Sequence, residues 1–163
     1  MRTVRGVLVV VLVSLLFRAG SSGAGNQAAN RAALNGEWKL NVARSSFANM
    51  PIPQHATLVI SGDGNKMIWK SAGVDAGGQP YTYTFDGTID GKPFPLQGAS
   101  SSTTVFFKWE NGALVGKWKG SHSNERISTA KVSSDGKMLT VKNAGTDAEQ
   151  TSNWTEVWDK VEK

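Results

Sequence analysis

Two charged residues in the second half of the chain, Arg126 and Glu156, occupy positions where a charge could bind or transform a ligand. Arg126 begins an alternating run with small and apolar partners, and Glu156 stands between Trp154 and Trp158. Because side chains alternate across a strand, each charge shares a face with residues expected in the interior. A buried charge without a partner is costly, so the two either form a pair that binds the polar end of a ligand or lie in water at a rim. Inside, Glu156 could also act as a proton-transfer base.

Aromatic residues fall on the same inward parity and determine what the interior offers. They are Tyr83, Phe85, Phe107, Trp109, Trp118, Trp154 and Trp158. With Arg126 and Glu156 they are our predicted ligand-binding residues, because they could line an apolar cavity in which a few polar groups orient a ligand. Alternatively they fill the interior, since a closed sheet of about eight strands is only just wide enough for its own side chains, whereas about ten strands leave a cavity.

Side chains for metal or nucleophile chemistry are scarce. The chain has no cysteine, and its two histidines are His55 and His122. Neither histidine has a second ligand at a metal-site spacing. Ser121 and Ser123 flank His122 but lack the G-x-S-x-G context of a hydrolase nucleophile. We therefore predict no metal, no cofactor and no catalytic residue, and the sequence favours a protein that is not an enzyme.

Turn signals divide the chain into short segments. Asn-Gly or Asp-Gly pairs, which favour tight hairpins, occur at 35–36, 63–64, 86–87, 90–91, 111–112 and 135–136. No segment has sustained helical periodicity. Strands are predicted at 37–43, 56–61, 66–73, 80–88, 92–96, 102–110, 113–119, 124–133, 137–143 and 151–161. The pattern predicts an all-β domain over residues 36–163 that forms a single antiparallel up-and-down β-barrel of roughly eight to ten strands, with a sandwich as the alternative.

Two turns determine which side chains share a face, because residues opposed across a hairpin lie on the same side. A two-residue turn at Asn111-Gly112 collects Val105, Phe107, Trp109, Leu114, Gly116 and Trp118 on one face. A turn at Asp135-Gly136 collects Arg126, Ser128, Ala130, Val132, Leu139, Val141 and Asn143. Both faces are mainly apolar, so we expect them to point inward and to include Arg126.

The N-terminus has the layout of a secretory signal peptide. Arg2 and Arg5 precede an apolar run at 7–17, and small residues follow it. That run is shorter than the roughly 20 residues of a membrane span. We predict a signal peptide at 1–24, cleaved near residue 24, and a flexible leader at 25–35 with at most a loose helical turn. The mature protein is then secreted or periplasmic without stable membrane insertion. An uncleaved anchor is the alternative.

Signal removal also changes the charge balance. Loss of Arg2, Arg5 and Arg18 lowers the formal charge from +5 to +2. No cluster of lysine and arginine remains that could form a basic face. Nucleic acid is therefore excluded as a predicted partner.

Both ends of the predicted barrel resemble those of the calycins, which include lipocalins and fatty-acid-binding proteins. Residues 36–40 (GEWKL), followed by Phe47, are similar to the G-x-W-K-L start of these barrels. Residues 155–160 (TEVWDK) are similar to the T-R-x-Y-E-K ending of the fatty-acid-binding branch. The resemblance implies that the first and last strands pair, with Trp38 near Trp158, and that the interior holds a lipophilic molecule.

Departures from that family change the expected ligand. Glu156 and Trp158 replace the arginine and tyrosine that hold the carboxylate in the fatty-acid-binding branch, so we expect cationic or hydroxyl ligands to be preferred. The helical lid of that branch is missing after Phe47. The lipocalin arginine that packs on the first-strand tryptophan is also missing, and Arg126 or Lys160 could replace it. The chain thus resembles a secreted, bacterial-type lipocalin-like protein.

The leading prediction is an exported barrel that binds a small apolar or amphipathic molecule in its interior. The first alternative is a secreted protein-interaction module such as an inhibitor, which would use the proline-containing loop 45–54 to bind a protein partner. A barrel isomerase or cyclase is the third reading. A hollow interior favours the first and third of these functions, and a solid interior favours the second.

Overall fold

The structure, a computed structural model, describes residues 22–99, 102–120, 125–147 and 150–162. Within these ranges the chain forms a helix, α1 (Ser22–Leu34), a 3-10 turn (Val42–Arg44) and ten strands. The strands are β1 (Gly36–Leu40), β2 (His55–Asp63), β3 (Lys66–Val74), β4 (Pro80–Thr88), β5 (Asp90–Pro95), β6 (Thr104–Glu110), β7 (Ala113–Lys119), β8 (Glu125–Val132), β9 (Met138–Asp147) and β10 (Gln150–Lys160). Most of the predicted signal peptide lies outside the described residues, as do His122 and its flanking serines.

The ten strands form one antiparallel sheet in the order β4-β3-β2-β1-β10-β9-β8-β7-β6-β5. Strands that are consecutive along the chain are neighbours throughout, apart from β4 and β5. The pairing of β1 with β10, in which Leu40 lies opposite Trp158, joins the two ends of the chain. This is an up-and-down barrel that is nearly closed, so the predicted fold class is confirmed.

The barrel lacks a continuous ladder of backbone hydrogen bonds between β4 and β5, the two edge strands of the sheet. Within the described residues the two edges approach through a bridge between Thr84 and Gln97. Each of these two residues donates its backbone N–H to the carbonyl of the other, at 3.0 and 2.9 Å. Pro93 and Pro95 in β5 have no N–H to donate, which limits how far this ladder can extend.

Both predicted hairpin registers are confirmed. Phe107 lies opposite Gly116 across the turn between β6 and β7. Asn111 and Gly112 have φ angles of 48° and 73°, as a tight two-residue hairpin turn requires. Across the second predicted hairpin, between β8 and β9, Ser128 lies opposite Asn143 and Arg126 opposite Gly145. Arg126 therefore has the inward orientation that alternation predicts.

Helix α1 covers the end of the barrel at which β1 begins. The sequence predicts a flexible leader here with at most a loose turn, and the structure differs: the segment is a helix of 13 residues. Its last turn is held by the barrel, because Leu34 is buried and Arg31 Nη1 donates to the Gly64 carbonyl at 3.2 Å. Lys160 Nζ donates to the Ala33 carbonyl at 3.1 Å. These tertiary contacts stabilise a helix that has no apolar stripe of its own. No helix among the described residues is long and apolar enough to cross a membrane.

Trp38 lies at the end of the barrel that α1 covers. Its side chain is completely buried, and its Nε1 donates to the Leu34 carbonyl at 2.9 Å. Lys160 Nζ lies 4.8 Å from the centroid of the Trp38 ring. The sequence offers Arg126 or Lys160 as the residue that packs on the first-strand tryptophan in place of the lipocalin arginine. In this structure Lys160 is the one that packs on Trp38.

Candidate functional site

The interior of the barrel is hollow. A cavity of about 1020 Å³ runs from Leu34 and Trp158 near the α1 end to Met50 and Pro53 at the opposite end. Most of its wall is apolar or aromatic, and its polar groups come chiefly from β8, β9 and β10. The inward aromatic residues of this ten-stranded barrel therefore line a cavity and do not fill the interior.

The loop between β1 and β2 forms part of the cavity mouth. Its first half is fixed to the barrel, since Phe47 is buried and Ser46 forms a bridge with Thr155. Met50 and Pro53 line the cavity, while Ile52 is 53% exposed. The described residues of this loop contain a 3-10 turn and no longer helix, which agrees with the predicted lack of a helical lid.

Most of the predicted ligand-binding residues meet at this cavity. Those that line it are Tyr83, Phe107, Trp118, Arg126, Trp154, Glu156 and Trp158. The other two do not: Phe85 is fully buried behind the wall, edge-on to Phe107 at 4.8 Å. Trp109 lies under α1, where the Arg31 guanidinium is 5.8 Å from its ring centroid. That the seven lining residues bind a ligand stays a prediction.

Glu156 is surrounded by hydrogen-bond donors. Its Oε1 accepts from Trp154 Nε1 at 3.0 Å and from Asn143 Nδ2 at 3.4 Å. Its Oε2 accepts from Trp158 Nε1 at 3.3 Å. Asn143 is buried and is oriented in turn by Ser128, whose Oγ donates to Asn143 Oδ1 at 2.7 Å. The carboxylate is thus stabilised by neutral N–H donors.

Arg126 is held differently, by aromatic faces. Its guanidinium carbon lies 3.8 Å from the ring centroid of Trp118 and 5.8 Å from that of Trp154. Its Nε is buried without a hydrogen-bond partner. Burial lowers the pKa of Arg126 to about 10, and the negative charge of Glu156 opposes that shift. The guanidinium therefore remains a cation at neutral pH.

The predicted contact between Arg126 and Glu156 is not a direct ion pair. Of the ion pairs found among the described residues, none joins these two side chains. The two groups line the same cavity, as the inward parity predicts, and interact through space. The physical reason is that each has found another partner: three N–H donors for the carboxylate and an indole face for the guanidinium.

Tyrosines of β4 add hydroxyl groups to the same cavity. The rings of Tyr81 and Tyr83 stack with centroids 5.1 Å apart. Desolvation raises the pKa of Tyr81, although its hydrogen bond with Ser71 acts in the opposite direction. The phenol is therefore protonated at neutral pH and could donate or accept a hydrogen bond.

Sequence reasoning missed several residues of the cavity wall, among them Trp69, Tyr81, Ser128 and Asn143. Tyr81 shares the parity of Tyr83 along β4, and the alternation that identifies one identifies the other. Ser128 and Asn143 lie on the predicted inward face, but as neutral polar residues they carry no signal for a ligand site. Among the described residues no group of three or more His, Asp or Glu side chains could hold a metal ion.

The structure is a nearly closed up-and-down barrel with a hollow interior. No protein-family model matches the chain, and no curated protein matches it either. The likeness is found among solved structures.

Zebrafish ileal bile acid-binding protein complexed with cholic acid matches with a TM-score of 0.57 and 16% identity, over 79% of this chain and 99% of that one. The fatty acid transporter REP1-NXSQ matches with a TM-score of 0.59 and 18% identity, over 81% and 98%. A secretory abundant heat soluble protein of Ramazzottius varieornatus matches with a TM-score of 0.61 and 12% identity, over 79% and 96%. At these identities the likeness concerns the fold.

Proposed function

We propose that this protein is an exported barrel that binds a small amphipathic molecule in its interior. The observation that supports the proposal is a cavity of about 1020 Å³ whose wall is mainly apolar and which contains one guanidinium without an ion-pair partner in the described chain. Ligand sites typically combine an apolar wall with a few polar groups that orient the ligand. An apolar body with one polar end matches that combination.

The polar end of the ligand belongs at Arg126. The oxygens of Glu156 already accept N–H groups from Trp154, Trp158 and Asn143, whereas the Arg126 Nε has no acceptor. A group that accepts hydrogen bonds, such as a carboxylate or a carbonyl, would therefore bind more favourably than an amine. This reverses the preference for cations that the position of Glu156 in the sequence suggests.

The structural neighbours support the same class of ligand. The zebrafish neighbour is complexed with cholic acid, and another is a fatty acid transporter. Both of these ligands combine an apolar body with an acidic group. Export is proposed from the signal-peptide layout of residues 1–24 alone.

A panel of alkyl ligands tests the proposed function. Dodecanoate, dodecanol and dodecylamine share one chain and differ in the head group, and each would approach the tryptophans of the wall. We expect saturable changes in tryptophan fluorescence, with dodecanoate binding more tightly than dodecylamine by roughly tenfold or more, the usual effect of a hydrogen bond to a charged group. If none of the three perturbs the fluorescence, the cavity does not bind amphipathic molecules.

A second candidate function follows from the exposed apolar side chains at the cavity mouth. Ile52 is 53% and Met50 36% exposed, and both belong to the loop 45–54, which the alternative protein-binding role would use. Pro51 and Pro53 restrict the backbone around Ile52. A fluorescence panel without any ligand effect would favour this role.

A further inference from the structure

The carboxylate of Glu156 joins side chains that would otherwise be independent. Along β10 the residues Trp154, Glu156 and Trp158 point to the same side, and Glu156 accepts the indole N–H of both tryptophans. Asn143 of β9 donates to the same carboxylate, which connects β10 to its neighbour. We propose that Glu156 is a positioning residue: it fixes the indole of Trp154 beside Arg126, so that ligand selection depends on Arg126. This inference rests on the proposed ligand-binding function.

The first argument concerns the carboxylate itself. A carboxylate oxygen has two lone pairs, and Oε1 uses both, for Trp154 and Asn143. Oε2 accepts from Trp158. A cationic ligand could use only the remaining lone pair of Oε2, unless it displaced one of these donors and left that N–H group without a partner. Glu156 therefore has less to offer a ligand than Arg126, whose Nε has no acceptor.

The second argument concerns Trp154. Its ring centroid lies 5.8 Å from the guanidinium carbon of Arg126, on the edge of the distance at which a cation interacts with an aromatic face. Its N–H is satisfied by Glu156. Without an acceptor at residue 156 the indole loses the bond that fixes its orientation, and the face that it presents to Arg126 is no longer defined.

The third argument is a comparison within the same cavity. Trp118 also lies over Arg126, at 3.8 Å, yet its Nε1 is buried without a hydrogen-bond partner. Trp118 is fixed instead by ring contacts with Trp69 and Phe107, at 5.8 and 5.9 Å. None of the ring–ring contacts described for this structure includes Trp154. Glu156 takes over the orienting role that neighbouring rings have for Trp118.

Two substitutions of Glu156 separate its charge from its acceptor role. Glu156→Gln and Glu156→Leu both remove the negative charge, but the glutamine carbonyl can still accept from Trp154. We expect dodecanoate to bind Glu156→Gln at least as tightly as the original protein. It should bind Glu156→Leu roughly five- to tenfold more weakly than Glu156→Gln, in line with the loss of one cation–π contact. Dodecylamine affinity should change by the same factor in both variants, because both lose the same charge. Glu110→Gln at the exposed end of β6 is the matched control.

A readout without ligand tests the positioning directly. In protein labelled with ¹⁵N at tryptophan, the indole N–H signal of Trp154 should stay close to its original position in Glu156→Gln and shift or broaden in Glu156→Leu. Trp154→Phe keeps a ring but has no N–H, so it should weaken dodecanoate as much as Glu156→Leu does. Combining the two should add nothing further. This variant also covers the case in which Glu156→Leu does not fold.

The contrary outcomes are distinct. Dodecylamine binding that is weaker in Glu156→Leu than in Glu156→Gln would mean that residue 156 contacts the ligand itself. Unchanged dodecanoate affinity in Trp154→Phe would mean that the Trp154 ring needs no positioning, and either result overturns the inference. Failure of all three alkyl ligands to bind the original protein overturns the proposed function instead, while the indole signals still report on whether Glu156 positions Trp154.

Discussion

Gly116 shows how a single residue shapes the cavity wall. A Cβ atom at this position would lie 2.5 Å from Phe107 Cε1 and 3.1 Å from Trp118 Nε1. Phe107 therefore extends over the backbone of β7, and its ring in turn contacts Phe85 and Trp118. The absence of a side chain at residue 116 is what allows three aromatic rings to interlock here.

Replacement of Gly116 by alanine should destabilise the barrel by about 1–3 kcal/mol, because a methyl group forced into a filled site displaces its neighbours. Gly145→Ala is the matched control, since a Cβ there would make an ordinary contact of 3.4 Å with Trp154. Urea denaturation of both variants measures the difference. Equal stabilities of the two variants would show that Phe107 can move away at little cost.

For single residues, the sequence predicts the side of the sheet to which a side chain points better than it predicts which groups that side chain contacts. Strand alternation places Arg126 and Glu156 on the inward side, and both line the cavity. It does not predict that Arg126 stacks on Trp118 or that Glu156 bonds with two indoles. Those partners depend on side-chain rotamers and on the stagger between strands, which the one-dimensional pattern does not contain.

Among the elements, β1 has an importance out of proportion to its length of five residues, because its pairing with β10 joins the two ends of the chain. Trp38 in its centre is completely buried. It also bonds with the Leu34 carbonyl, so one side chain connects the closing strand to α1.

Trp38→Ala should therefore lower the free energy of unfolding by about 3–5 kcal/mol, as for other buried aromatics truncated to alanine. Trp38→Phe keeps a ring and loses the N–H bond, so we expect a smaller loss of roughly 1–3 kcal/mol. Thermal or urea unfolding gives both values. A loss below about 1 kcal/mol for Trp38→Ala would be incompatible with its place in the core.

All ten predicted strands are present, because short segments rich in β-branched and aromatic residues between Asn-Gly and Asp-Gly turns leave few alternatives. Their ends differ by a few residues; β9, for example, continues to Asp147 rather than ending at residue 143. Helix α1 is the element that the sequence does not predict. Its alanine-rich sequence has no amphipathic pattern, and the contacts that hold it come from the end of the barrel.

At the scale of the whole molecule, the predicted export and signal-peptide cleavage can be tested independently of any ligand. The predicted cleavage near residue 24 falls within the first turn of α1, which spans Ser22–Leu34. Cleavage there leaves Arg31, Leu34 and their contacts with the barrel in the mature chain.

Expressed in a bacterium with its own leader, the protein should leave the cytoplasm and acquire a new N-terminus between roughly residues 20 and 30. Cell fractionation and the intact mass of the exported form check this expectation. An exported protein that still begins with Met1 would contradict cleavage, and retention in the cytoplasm would contradict export.

The predicted range of eight to ten strands does not decide whether the interior is hollow, since a closed sheet of about eight strands is only just wide enough for its own side chains and about ten strands leave a cavity. What decides between them is how the pairs of strands close, and the closing pair here joins residues more than a hundred positions apart, such as Leu40 and Trp158. The resemblance of the two chain ends to the calycins predicts this pairing, whereas the local pattern of the strands alone does not.

Among the described residues, one backbone bridge, between Thr84 and Gln97, joins the two edges of the sheet, and beside it the ring of Phe94 packs against Phe85 with centroids 5.8 Å apart. Elsewhere, neighbouring strands share a ladder of several backbone pairs. At this seam between β4 and β5, fewer backbone hydrogen bonds therefore have to break before the two edges separate. The prolines of β5 give a second consequence, because Pro93 and Pro95 offer no N–H to a strand from another molecule and so make this edge a poor template for adding one. The seam is thus the place where the sheet separates with the fewest broken backbone bonds, and also an unfavourable place for a second copy to join it.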